Sequence, residues 1–171
     1  GDNWKRSKGE VNNLFNLLAL WIKKDTAWLH KRNVRLRHIG RISELPDYLQ
    51  LAIKEAGELT KNNSGMTLSL AFSYTGRGEI VDAIHNWLAD KDAPSYLDEK
   101  VFSRYLYTDG MPDVDLLIRT GGEFRLSNFM LWQTAYSEFF FSEALWPDFD
   151  ETELNKALEI YNQRQRRFGG D

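Results

Sequence analysis

The sequence contains no cysteine. That excludes a disulfide framework, a thiol nucleophile and a cysteine-based zinc site, and it is compatible with a reducing cytosol. Histidine is scarce: His30, His38 and His85 are scattered, without metal-ligand spacing. No apolar run approaches the roughly 20 residues needed to cross a bilayer, and no signal-peptide pattern is visible. Neither sign of charge dominates. The net charge of −3 supplies no basic field for nucleic acid. What is present is core material. With 42% hydrophobic residues in 171, the chain can bury one compact domain spanning residues 1–171.

Hydrophobic spacing orders that material. Val11, Leu14, Leu17, Leu18, Trp21, Ile22, Trp28 and Leu29 recur at helical intervals and predict one long helix from Glu10 to about Lys31, ended by Asn33. Val34–Ile39 alternates as a strand. Pro46 opens a second helix that Asn62-Asn63-Ser64-Gly65 stops. Met66–Phe72 reads as a strand, Tyr74–Gly78 as a turn, and Glu79–Ala89 as a helix. A short helix is expected over Asp98–Tyr105, and a buried strand over Val114–Ile118. Ser127 is placed to cap a helix reaching Tyr136. Glu138–Phe141 is a last strand, and Asp150 caps a last helix to Arg166 or Arg167, before Gly169 and Gly170. Strands alternating with helices predict an α/β fold with a largely parallel sheet covered on both faces.

In such sheets ligands bind beyond the carboxyl ends of the strands. The Val114–Ile118 strand leads into Arg119-Thr120-Gly121-Gly122-Glu123-Phe124-Arg125-Leu126-Ser127-Asn128-Phe129. Glycines let backbone N–H groups approach a ligand, and a following helix N-terminus would favour an anion. Arg119 and Arg125 can each grip a phosphate with two parallel hydrogen bonds, and Ser127 adds a hydroxyl donor. The expected ligand is a diphosphate. The plainer alternative pairs Arg119 and Arg125 with Asp115 and Glu123 on a solvated loop.

The same stretch, followed by Leu131-Trp132-Gln133-x-Ala135-Tyr136-x-Glu138 and Leu145-Trp146-Pro147-Asp148-Phe149, resembles the signature of the cis-prenyltransferases of the undecaprenyl diphosphate synthase type. Other blocks agree in order. Ser73-Tyr74-Thr75-Gly76-Arg77 resembles the family's Asn-Tyr-Gly-Gly-Arg with two substitutions. Arg35-x-Arg37-x-Ile39-Gly40 resembles the strand and turn after the long helix, with Arg41 replacing a common aspartate. Arg166-Arg167-Phe168-Gly169-Gly170 resembles the C-terminal tail.

The resemblance implies a homodimeric, magnesium-dependent enzyme. It would condense isopentenyl diphosphate with an allylic diphosphate such as farnesyl diphosphate and make a polyprenyl diphosphate for a cell-wall lipid carrier. Arg119, Arg125 and Ser127 would bind the diphosphate of isopentenyl diphosphate. Glu138 would serve magnesium, or stand as a solvated residue at a strand start. Its distance in sequence from Ser127 suggests that it completes a neighbouring subunit's site. Asn3, Trp4 and Arg6 match the end of the family's Ser-Thr-Glu-Asn-Trp-x-Arg block, with Asp2 in place of glutamate. They imply a catalytic role for Asn3, and substrate contacts for Trp4 and Arg6, unless this terminus is unstructured. The chain starts at Gly1, and the family's upstream Asp-Gly-Asn-x-Arg loop, whose aspartate coordinates magnesium, occurs nowhere in it. The chain by itself is therefore expected to be an inactive, N-terminally truncated form lacking the family's first strands. The alternatives are a non-catalytic partner subunit of a two-component enzyme, or an unrelated nucleotide-binding module. The long first helix and the Met66–Phe72 strand are candidates to line a product tunnel. The expected location is cytoplasmic, with peripheral membrane contact through the lipid product.

Overall fold

A computed structural model describes residues 8–164. The chain divides into two compact units between Asp109 and Gly110.

The first unit opens with α1 (Lys8–Lys31). Phe15, Ala19, Ile22, Thr26 and Leu29 are its buried residues, the alternating three- and four-residue steps of a single helical face. The helix ends where Asn33 turns left-handed at φ 60°, a conformation asparagine tolerates. Asn33 Oδ1 then accepts from Ser64 N–H at 2.9 Å, and Asn33 O accepts from Gly65 N–H at 3.1 Å. The two expected stop signals are thus bonded to each other.

Strand β1 (Arg35–Ile39) pairs in parallel with β2 (Thr67–Ala71), from Arg35 opposite Thr67 to Ile39 opposite Ala71. Between them runs α2 (Asp47–Thr60), the helical crossover that a parallel pair needs. Leu49, Ala52, Ala56 and Thr60 form its buried face, and Leu49 is fully enclosed. The Thr60 hydroxyl donates to Ala56 O at 2.8 Å and accepts from Leu36 N–H at 3.0 Å, so this buried polar group ties α2 to β1.

The helix expected from Glu79 instead begins three residues earlier, as α3 (Gly76–Ala89). Thr75 is its N-cap, accepting from Gly78 N–H at 3.1 Å, and this converts most of the expected turn into helix. Helix α4 (Glu99–Ser103) is capped by Asp98, whose side chain accepts from Val101 N–H.

The second unit pairs β3 (Leu116–Arg119) in parallel with β4 (Glu138–Phe141). The expected helix from Ser127 to Tyr136 is absent. Ser127, Asn128 and Met130 take φ of 49°, 62° and 47°, left-handed values that a right-handed helix cannot contain. The crossover is made of turns instead, with bonds such as Phe129 N–H to Leu126 O at 3.1 Å. Helix α5 (Glu151–Gln163) is capped by Asp150 as expected. It ends before Arg166, because Arg164 is already extended at ψ 130°.

Two outcomes test this framework. Gly40 follows β1 at φ 123°, where an added Cβ would lie 2.2 Å from Phe72 O. Gly40→Ala should cost about 3 kcal/mol in denaturant unfolding, and a loss below about 0.5 kcal/mol would show that the turn can relax. The second outcome concerns His38, whose Nε2–H donates to Phe72 O at 3.0 Å. Burial pushes this imidazole below its ordinary value of 6.5, against the opposing pull of that bond. The unfolded chain therefore binds the proton more readily, and stability must fall as pH drops below about 6.5. The melting temperature should decline from about pH 7.5 to pH 5.5, and His38→Gln should flatten that part of the slope.

Candidate anion-binding site

In the second unit the carboxyl end of β3 presents Arg119, half-buried. Gly121 and Gly122 follow at φ 91° and 70°. Nothing lies within 4 Å of a Cβ added at either, so glycine is required here by backbone conformation and not by space. Their amides are already committed. Gly121 N–H donates to Ala144 O at 2.8 Å, and Gly122 N–H to Ser142 O at 2.9 Å. These two N–H groups therefore do not face a ligand, and the absent helix contributes no dipole. Two of the sequence arguments for an anion pocket thus fall, and the side chains carry the case alone.

Those side chains partly converge. Arg119 Nη1 donates to Ser127 Oγ at 2.9 Å and also to the carbonyl oxygen of Arg125. The left-handed backbone at Ser127 and Asn128 folds the loop back far enough for this contact. Arg125 lies in the same loop and is exposed, with Nη1 on the Glu123 carboxylate. Arg125 thus makes the ion pair with Glu123 that the plainer reading expects. Arg119 instead bonds within the loop, to the residue singled out with it. Phe124 is exposed, with its ring 5.2 Å from that of Phe141, which stacks on Phe139 at 6.1 Å.

Glu138 stands at the other end of the strand pair. It begins β4 opposite Leu116, whereas Arg119 lies opposite Phe141. Three strand steps place the two backbone positions about 10 Å apart. Glu138 Oε2 accepts from Arg164 Nη1, at the end of α5. Sequence reasoning did not anticipate that partner. The other end of α5 is also bound, where Ser142 Oγ donates to Glu153 Oε2 at 2.6 Å. No group of three or more His, Asp or Glu side chains among the described residues could hold a metal ion. Asn3, Trp4 and Arg6 lie outside the described residues.

The first unit holds a second polar centre, at the carboxyl ends of β1 and β2, which sequence reasoning missed. Arg41 grips Asp82 with two bonds, Nε to Oδ2 at 2.7 Å and Nη2 to Oδ1 at 2.9 Å, and reaches Glu44 at 3.3 Å. The Tyr107 hydroxyl also donates to Asp82, and the Ser73 hydroxyl to Glu44. Glu79, only 1% exposed, accepts from Tyr74 O–H at 2.5 Å and from Tyr107 N–H at 3.0 Å. These bonds account for one anomaly of the sequence. Arg41 has a partner in Asp82. Ser73 sits at φ 49°, a position suited to the asparagine of the related motif. The Arg41 hydrogen bond is the main cause holding the Asp82 carboxyl below its usual range, and the Ser73 bond does the same for Glu44. Burial first, then Asp82, pushes the Tyr107 phenol up. Arg41, Glu44, Ser73, Thr75, Gly78, Glu79 and Tyr107 enclose about 30 Å³, room for an ordered water. Beside the sheet, Ile22, Leu36, His38, Ile53, Gly57 and Leu70 line an apolar cavity of about 40 Å³.

Comparison with known proteins agrees with this architecture. Residues 1–169 match the family model described as putative undecaprenyl diphosphate synthase. An isoprenyl transferase of Fusobacterium nucleatum is 48% identical over 169 residues, covering 99% of this chain and 72% of that protein. One from Clostridium perfringens is 49% identical over 173 residues, covering 99% and 68%. Among solved structures, lavandulyl diphosphate synthase from Lavandula x intermedia, in complex with dimethylallyl diphosphate, superposes with a TM-score of 0.94 at 40% identity, covering 99% of this chain and 75% of that one. A probable undecaprenyl diphosphate synthase from Campylobacter jejuni gives 0.89 at 36% identity, covering 99% and 79%. With the fold matched along nearly the whole sequence, the chain belongs to the undecaprenyl diphosphate synthase family of prenyltransferases.

Proposed function

We propose that this protein elongates isoprenoid chains in the cis configuration, adding isopentenyl diphosphate to an allylic diphosphate such as farnesyl diphosphate. The observation that carries the reading is the convergence of Arg119 Nη1 and Ser127 Oγ at the carboxyl end of β3, with Arg125 in the same loop. A diphosphate entering there replaces the internal partners of these groups. Arg119 exchanges a neutral carbonyl and hydroxyl for charged oxygens, a stronger bond. Arg125 exchanges Glu123 for the ligand. That exchange is cheap, because an exposed ion pair contributes at most about 1 kcal/mol. The loop thus fixes the five-carbon unit by its charged end, and its double bond is left free to react.

Magnesium is usually held by one or two carboxylates together with substrate phosphates; the carboxylate that the family motif assigns to it is Glu138, at the far end of the strand pair from Arg119. Glu138 offers one carboxylate, and the structure already sets a cationic group, Arg164, against it. Glu138 would hold the ion, which when bound neutralises charge on the leaving diphosphate. Its position at the amino end of β4, away from Arg119, supports a role in the site of a second copy, in a homodimer. The apolar cavity beside β1 and β2 contains Ile22 of the long first helix and Leu70 of the second strand, both among the segments expected to wall a product tunnel. Asn3, Trp4 and Arg6 retain the roles that the family motif implies, as substrate and catalytic contacts. A greasy product would bring the protein to a membrane surface. No helix among the described residues is long and apolar enough to cross one.

Calorimetric titration with isopentenyl diphosphate tests the central claim. Arg119→Ala and Arg125→Ala should each weaken binding about 10- to 100-fold, the loss of one charge-assisted contact. Arg125→Ala should leave unfolding stability within about 1 kcal/mol of the parent. Undiminished affinity in both variants would refute the assignment. Filling the apolar cavity supplies a second test. A Cβ at Gly57 meets nothing within 4 Å, so Gly57→Leu should fold and, assayed in a chain that also carries the family's Asp-Gly-Asn-x-Arg loop, shift the product distribution to shorter chains, read by chromatography of the polyprenols. An unchanged distribution would exclude this cavity from the tunnel.

A further inference from the structure

The Gly121-Gly122 turn that follows Arg119 is held by two carbonyls, those of Ala144 and Ser142, at 2.8 and 2.9 Å. No packing pins the turn, because nothing lies within 4 Å of a Cβ placed at either glycine. Both carbonyls depend on one side chain. Ser142 follows β4 directly and is 3% exposed. Its N–H donates to Arg119 O at 2.8 Å, so its backbone grips the loop at Arg119 and again at Gly122. Its Oγ accepts from Ala144 N–H at 3.2 Å, which fixes the second anchor, and donates its one proton to Glu153 Oε2 at 2.6 Å. Glu153 is itself placed by the fold. It lies in the first turn of α5, where its N–H donates to Asp150 Oδ1 at 3.0 Å, and a carboxylate is favoured at that helix end. Ala157, one turn further on, is fully buried and seats the helix.

We propose that Ser142 is a positioning residue for the diphosphate loop. Its hydroxyl, held by Glu153 of α5, locks both carbonyls that anchor the glycine turn, and so fixes where Arg119 stands relative to Ser127 and Arg125. This rests on the reading of that loop as the diphosphate site. Ser142 is too buried to offer a ligand a surface, and it acts through Arg119 and the turn. Two guanidiniums and a hydroxyl converge on one anion only while the backbone between them keeps its shape. Glycine has the widest conformational freedom of any residue, so this backbone keeps its shape through outside bonds. Without the Ser142 hydroxyl the turn samples more conformations when empty. A diphosphate must then order the loop as it binds, and that entropy is subtracted from its affinity.

The test is calorimetric titration with isopentenyl diphosphate, at a temperature well below the melting midpoint of every variant. S142A should weaken binding about three- to tenfold, the loss of one hydrogen bond. S142T keeps the hydroxyl and should restore the parent affinity. Without ligand, hydrogen exchange at the Gly121 and Gly122 amides should quicken in S142A, a local opening short of unfolding. Should S142A fold poorly, E153A reads the same bond from the helix side and should weaken binding in the same direction, whereas E153Q keeps an acceptor oxygen and should stay near the parent. S142A/E153A should bind no worse than S142A, the non-additivity expected of two groups acting as one pair. A serine that only stabilises the fold would lower the melting temperature when replaced and leave both the affinity and the exchange of the two glycines unchanged, which overturns the proposal. The two levels separate cleanly. If R119A leaves binding intact, the diphosphate reading of the loop is itself wrong. If R119A weakens binding while S142A and E153A do not, only the role of Ser142 is wrong.

Discussion

Two backbone hydrogen bonds set the geometry of the second unit. Gly121 and Gly122 donate to the carbonyls of Ala144 and Ser142, and this docks the exit of β3 onto the exit of β4. Both glycines make these bonds with left-handed backbone, at φ 91° and 70°. Once they form, Arg119 must leave the strand toward the loop, and the loop must return past it. The reversals at Ser127, Asn128 and Met130 continue the same constraint, so the crossover is a string of turns where most parallel pairs carry a helix. The chemistry at this end of the sheet therefore rests on side chains, because the backbone has spent its donors on holding shape.

A second feature follows from the charges. Among the described residues, each ionic group that the family reading assigns to ligands already has a counter-charge or hydrogen-bond partner from its own chain. Glu123 holds Arg125, Arg164 holds Glu138, and the Ser127 hydroxyl lies on Arg119. None of these contacts is deeply buried, so none is costly to exchange. The protein can thus keep strong charges close to one another without ligand, and give them up to a polyanion that offers better oxygens.

Much of this was legible in the residues. The long first helix, the four strands and the cap at Asp150 follow from periodicity and capping chemistry, which are local effects. The Arg-Thr-Gly-Gly block announced itself by composition at the end of a strand. The helix expected after Ser127 was misread because serine before an apolar stretch is an ordinary cap. Nothing local reveals that Ser127, Asn128 and Met130 are held left-handed by the rest of the turn. The start of α3 was misplaced for the converse reason: two glycines look like a turn, yet Thr75 caps them into a helix. The partnerships of Arg41 with Asp82 and of Glu138 with Arg164 span 41 and 26 positions, and no spacing rule reaches that far. Only the oddity of an arginine at a position where the related motif commonly has aspartate hinted at the first of them.

That pairing has a structural corollary. Arg41 meets both oxygens of Asp82 at 2.7 and 2.9 Å, so the turn after β1 is tied to α3 by one bidentate contact. A change at either residue therefore acts on both elements. A graft of either residue alone into a sister protein would carry half of a lock without its key.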